Sequence, residues 1–119
     1  MTPTFPFVVT TEPDSTQPEH SYSILVDLSE MDDYYALFEK YGFGGNGPSW
    51  VEHIETIVEE FNPDLLDHLE FDEEGETFLA YADSPTAVDQ FLHLVQPIFG
   101  DLASLNKYLS QADPENFFE

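Results

Sequence analysis

Leu69-Glu70-Phe71-Asp72-Glu73-Glu74-Gly75-Glu76-Thr77-Phe78-Leu79-Ala80-Tyr81-Ala82 is the stretch that decides the fold. Leu69 to Asp72 and Thr77 to Ala82 alternate as strands, and Asp72-Glu73-Glu74-Gly75 reads as a turn in which Gly75 supplies a left-handed position. The pair is a β-hairpin with a strongly acidic tip. Directly after it, Ser84-Pro85 opens a helix lined by Ala87, Val88, Phe91, Leu92 and Val95, and Pro97 ends or kinks it. Past Gly100, Asp101 caps a last helix with Leu102, Leu105, Tyr108 and Leu109 inside.

Upstream of the hairpin, Asn62-Pro63 reads as the cap and first position of a short helical turn through Leu66. Before that, Ser49-Trp50-Val51-Glu52 has the pattern of a capping box. The helix it opens carries an apolar stripe of Trp50, Ile54, Ile57, Val58 and Phe61, with Glu52, Glu55, Glu59 and Glu60 elsewhere around it. Gly42-Phe43-Gly44-Gly45-Asn46-Gly47 holds four of the chain's 6 glycines, which predicts a tight connection with several positive φ angles. Ser29 and Asp32 form a weaker capping box, after which Met31, Tyr34, Tyr35 and Phe38 recur at helical spacing up to Tyr41. Phe5 to Thr10 and Ser21 to Leu28 read as strands joined by the polar, proline-containing loop Thr11 to His20. The order ββααββαα predicts an α+β fold: an antiparallel sheet of about four strands with helices packed on one face. Residues 1–119 are expected to form one domain, with 11–20 a polar loop and 112–119 a tail bearing the exposed pair Phe117-Phe118.

The chain is long enough for a core that removes roughly two-thirds of the unfolded surface from water, and 41% hydrophobic with 15% aromatic residues supplies the material for one. Its charge is the outlier. Against 25 Asp and Glu stand only Lys40 and Lys107, for a net −23. Such a surface is repelled by nucleic acid and by anionic membranes, so the expected partner is a basic protein. Acidic adaptation to salt is the plain alternative, but it favours small residues, whereas this chain has 11 Phe. Without Cys there is neither a disulfide nor a thiolate metal site. Met1 to Pro6 has no cationic and apolar signal regions, so the expected location is the cytoplasm.

Catalytic chemistry finds little support. The glycine-rich segment lacks the Lys and Ser/Thr of a phosphate loop. His20, His53, His68 and His93 include no H-E-x-x-H pair and read as isolated polar residues, and the acidic tip lacks the spacing of a calcium loop. Carboxylates are too abundant for a pair of them to mark acid and base catalysis. No catalytic residues, no metal and no cofactor are expected. The candidate binding residues are Glu52, Glu55, Glu59 and Glu60 on the helix and Asp72, Glu73, Glu74 and Glu76 at the hairpin tip. Gly44, Asn46 and Trp50 are candidate loop contacts, with Trp50 open to a reading as core or as contact.

Three segments carry a resemblance: Tyr41-Gly42-Phe43-Gly44-Gly45-Asn46-Gly47-Pro48-Ser49-Trp50, then Pro63 to Asp72 with its L-x-F-D element, then Phe78-Leu79-Ala80-Tyr81-Ala82-Asp83-Ser84. Over Ile24 to Phe99 the chain resembles immunity protein fifty-one, a family of small bacterial immunity proteins of polymorphic toxin systems. The resemblance implies a non-enzymatic inhibitor that binds and neutralises a cognate toxin domain. With the charge, it leads to an expectation of a monomer or weak dimer whose acidic face covers the basic active-site surface of a nuclease toxin. A DNA mimic that titrates a nucleic-acid-binding protein uses the same charge, and a small hydrolase is the third reading.

Overall fold

The computed structural model describes residues 4–12, 16 and 20–112. Among them, strands β1 (Val8–Thr11), β2 (Tyr22–Asp27), β3 (Leu69–Phe71) and β4 (Thr77–Ala82) alternate in pairs with helices α1 (Asp32–Lys40), α2 (Gly47–Phe61), α3 (Pro85–Phe99) and α4 (Leu102–Gln111). The sheet is antiparallel throughout in the order β1-β2-β4-β3. This is the ββααββαα, α+β arrangement that the sequence predicts.

Alternation along the strands divides the sheet into two faces. Ile24, Val26, Phe78, Ala80 and Ala82 point inward and are buried beneath α2 and α3. The small Ala80 and Ala82 let these helices approach the sheet, while Trp50 fills the space beside them. Its indole is fully buried among Phe7, Tyr34, Phe38, Phe78 and Phe99, with ring centroids 4.7–6.3 Å away. Aromatic pairs in such geometries each add roughly 0.5–1.5 kcal/mol beyond area burial. Tyr34 ties the layers further, its hydroxyl donating to the Phe99 carbonyl at 2.6 Å.

The helix starts depart from the sequence reading in instructive ways. Ser49 does not cap α2. Asn46, in extended conformation, accepts from the Ser49 N–H at 3.1 Å, and Gly47 and Pro48 fill the first helical positions, leaving Ser49 buried inside the helix. Nor does Ser29 cap α1: Asp27 caps a single 3₁₀ turn, Leu28–Glu30, by accepting from the Ser29 N–H, and α1 begins at Asp32 after Met31. The caps at Ser84 and Asp101 are as expected, each accepting an N–H at 3.1 Å from the residue three ahead. Asn62-Pro63 leads into a 3₁₀ segment, Pro63–His68, longer than the turn expected.

Other departures have equally local causes. The first strand starts at Val8, not Phe5, because the Phe7 N–H bonds to the Thr4 carbonyl in a turn and Pro6 has no N–H for a ladder. Gly75 has no left-handed φ, whereas Gly42 (φ 87°) and Gly45 (φ 77°) do. Pro97 lies in the last turn of α3, and the helix runs through it to Phe99. Phe61, 64% exposed, and Leu102, 39% exposed, stand at helix ends beyond the core layer, so neither completes its stripe. The tail with Phe117 and Phe118, and positions 13–15 and 17–19 of the polar loop, lie outside the described residues.

Candidate functional site

The glycine-rich connection and the acidic hairpin meet at the start of α2. Gly47 donates its N–H to the Gly75 carbonyl at 3.1 Å, and a Cβ there would stand 1.9 Å from the Glu74 carbonyl oxygen and 2.6 Å from that of Thr77. Only glycine lets the helix terminus lie against the turn. That contact puts the carboxylates of the two elements within electrostatic reach of each other.

Strand register then sorts the tip residues. Phe71 pairs with Ala80, and the isolated bridge of Glu74 with Thr77 keeps the same register around the turn. Glu73 therefore falls opposite the buried Phe78, on the helix side, and Asp72 and Glu74 fall on the other. The effect shows at Glu55: partial burial, then the charges of Glu73, Glu52 and Glu59, hold its pKa above the ordinary carboxylate value. So Glu52, Glu55, Glu59 and Glu73 form one acidic patch.

The remaining candidates lie apart from it. Glu76 faces α1, where it adds to burial in raising the Tyr35 pKa. Glu60 stands on the flank of α2 towards α4; burial, and then Glu60, push the Tyr108 hydroxyl pKa upward. Beside it a groove of about 760 Å³ runs between the ends of α2, α3 and α4, lined by Ile57, Phe61, Ile98, Lys107 and Tyr108. Of the loop candidates, Gly44 is exposed, Asn46 commits its side-chain oxygen to the α2 cap, and Trp50 is core.

Three of the four histidines, His20, His53 and His68, are not the isolated polar residues expected. His53 is fully buried edge-on against Phe43, with Nδ1 2.8 Å from the Tyr108 hydroxyl, and burial lowers its pKa to about 4. Its position three residues after Trp50, on the apolar stripe, was the available signal. His20 stacks on Tyr81, with centroids 4.1 Å apart, and bonds to Glu70. His68 lies 2.7 Å from Asp83, whose hydrogen bond raises the imidazole pKa. Among the described residues no group of three or more His, Asp or Glu is placed to hold a metal ion, and no helix is long and apolar enough to cross a membrane.

Residues 16–114 match the family model described as Immunity protein 51. The chain belongs to the immunity protein 51 family. No curated protein and no solved structure matches it. The match takes in the G-N-G-x-S-W element, whose first residue, Gly45, takes the left-handed φ of 77° and whose others are set by the fold. Asn46 caps the helix, Gly47 admits the hairpin turn, Ser49 is buried, and Trp50 anchors the core. In this member of the immunity protein 51 family, the acidic patch of Glu52, Glu55, Glu59 and Glu73 lies outside that element.

Proposed function

We propose that this chain is the inhibitory half of a toxin–immunity pair, and that it binds a basic toxin domain and covers its active surface without catalysis. Family membership supports the inhibitor role. The observation that carries the electrostatic reading is the convergence of Glu52, Glu55, Glu59 and Glu73 so closely that their charges oppose ionisation of Glu55. Like charges held together cost stability in the free protein, and a cationic partner relieves that cost. A nuclease is the toxin class we favour, since a groove built for phosphates is complementary to packed carboxylates. The producing cell's cytoplasm is the proposed site of action.

Electrostatic steering raises association from a neutral rate of about 10⁵–10⁶ to as much as about 10⁸–10⁹ M⁻¹s⁻¹ at low salt. Exchanging all four residues for Gln in one variant is expected to slow association with the toxin domain encoded beside this gene at least roughly tenfold in low salt. Its salt dependence should flatten as well. Stopped-flow rates across a salt series provide the check, and an unchanged rate and slope would refute the electrostatic reading.

A further inference from the structure

The face of the sheet turned away from the helices has a composition that solvation alone does not explain. Register defines it residue by residue. Val8, Leu25 and Leu79 stand side by side across β1, β2 and β4, and Asp72, whose N–H donates to the Leu79 carbonyl at 2.9 Å, ends that row. The next row is Thr10, Ser23, Tyr81 and Glu70, and on the other side lies Asp27, Thr77 and Glu74. Among the described residues no helix packs on this face; at its β1–β2 end His20 stacks on Tyr81 and the Ser23 hydroxyl donates to the Glu12 carboxylate at 3.0 Å, which leaves the Val8, Leu25 and Leu79 row as its open part. Val8 is 59% exposed and Leu25 37%.

An aliphatic row across the middle of an open antiparallel sheet, bordered by carboxylates, has the anatomy of an interface core and rim. Asp27, Glu70, Asp72 and Glu74 are all exposed on this side. Neither lysine lies on a strand: Lys40 ends α1 and Lys107 belongs to α4. A second copy of the chain is a poor occupant, because each would bring a net −23 to the contact. The α4 groove offers a cation less, since its lining sets Lys107 against a single carboxylate, Glu60, whereas four carboxylates border the sheet face. Arg and Lys fit the sheet face closely: their aliphatic stems cover apolar surface while their heads reach carboxylates at its border.

We propose that the open face of the sheet, centred on Val8, Leu25 and Leu79, is the seat of a basic partner surface that presents Arg and Lys side chains. The inference rests on the toxin-binding reading and deepens it by naming the contact. The acidic patch on α2 and Glu73 then steers the approach, and the sheet face holds the complex. Asp72 and Glu74 at the shared hairpin tip make the two surfaces neighbours.

The double variant Val8→Glu/Leu25→Glu separates the two ideas, because it adds negative charge while removing the aliphatic contact. Attraction by charge alone predicts equal or tighter binding to the toxin domain. Docking on the sheet face predicts a Kd at least roughly thirtyfold higher, the loss typical of a central interface residue, read by calorimetry. Because the chain has no native Cys, Val8→Cys gives a second readout that tolerates any loss of stability in the double variant. Maleimide labelling at Val8→Cys should slow at least roughly tenfold in the complex, while Asp89→Cys, on exposed α3 surface, should label at its free rate. A wild-type chain that binds the toxin while Val8→Cys stays reactive would overturn the sheet-face proposal and leave the toxin reading standing. A wild-type chain that does not bind the toxin would sink both. A sheet-mediated homodimer, seen as a doubled mass that Val8→Glu/Leu25→Glu abolishes, would replace the basic partner with a second copy.

Discussion

The two sides of α2 were built under opposite demands. Its inner side brings Trp50, His53, Ile54, Ile57 and Val58 to almost complete burial, while Glu55 and Glu59, one turn apart, remain in water. On the inner side every contact is fixed by neighbours, down to a helix terminus that admits no Cβ at position 47. On the outer side the charges of Glu73, Glu52 and Glu59 oppose ionisation of Glu55. The outer side is free to suit a partner.

The sharpest way to break the inner side is Gly47→Ala. A methyl group at 1.9 Å and 2.6 Å from two backbone oxygens of the hairpin turn must push α2 and the turn apart, since neither neighbour is a movable side chain. Overpacking against backbone costs about 3 kcal/mol, towards the upper end for inserted methyls. Urea unfolding should show the midpoint falling with little change in slope. A variant as stable as the wild type would mean that the contact between α2 and the turn is not needed for folding.

How far the sequence carries depends on which side a residue serves. The order of elements, the antiparallel sheet and the apolar lines of α3 follow from periodicity, which reports burial directly. Cap positions were less legible. Ser49 and Ser29 satisfy the local pattern for a cap, but Asn46 reaches the free N–H of α2 first, and Asp27 draws Ser29 into a 3₁₀ turn after which α1 starts without a side-chain cap, outcomes set by how the chain enters each helix. Glu73 was legible only as one acid among several at the tip. Its proximity to Glu55 depends on the β3–β4 register and on the α2–turn contact, which arise from pairing distant in sequence. The open sheet face was hidden for the same reason: Val8, Leu25 and Leu79 become a row only after three strands pair.

His53 offers a test of the inner side by pH. Burial lowers its pKa from 6.5 to about 4, so the unfolded chain takes up a proton below about pH 6.5 that the folded chain refuses. Stability from this group is complete above pH 6.5 and is lost as the pH falls towards 4, with a slope of at most about 1.4 kcal/mol per pH unit. Protonation of carboxylates relieves repulsion over the lower part of the same range, so the comparison must be with a variant. His53→Phe removes the titration and the bond to Tyr108, and its stability relative to wild type should rise steadily from pH 6.5 to 4.5. Parallel stability curves for the two proteins would show that the imidazole is accessible to protons in the folded state.

The outer side responds in the opposite sense and more weakly. Burial and the neighbouring carboxylates raise the Glu55 pKa, so in the folded chain its ionised form is disfavoured relative to the unfolded chain. Above the raised pKa that ionisation costs stability, and as the pH falls through it the cost disappears. Glu55→Gln should therefore stabilise the free protein at neutral pH by only about 0.5 kcal/mol, because solvent and salt screen an exposed group. The gain should vanish in acid and shrink in high salt. The same substitution is expected to weaken the attraction for a basic partner, so stability and binding should move in opposite directions at one residue. If Glu55→Gln destabilises the free chain instead, Glu55 serves the fold, and α2 does not divide into a folding side and a binding side.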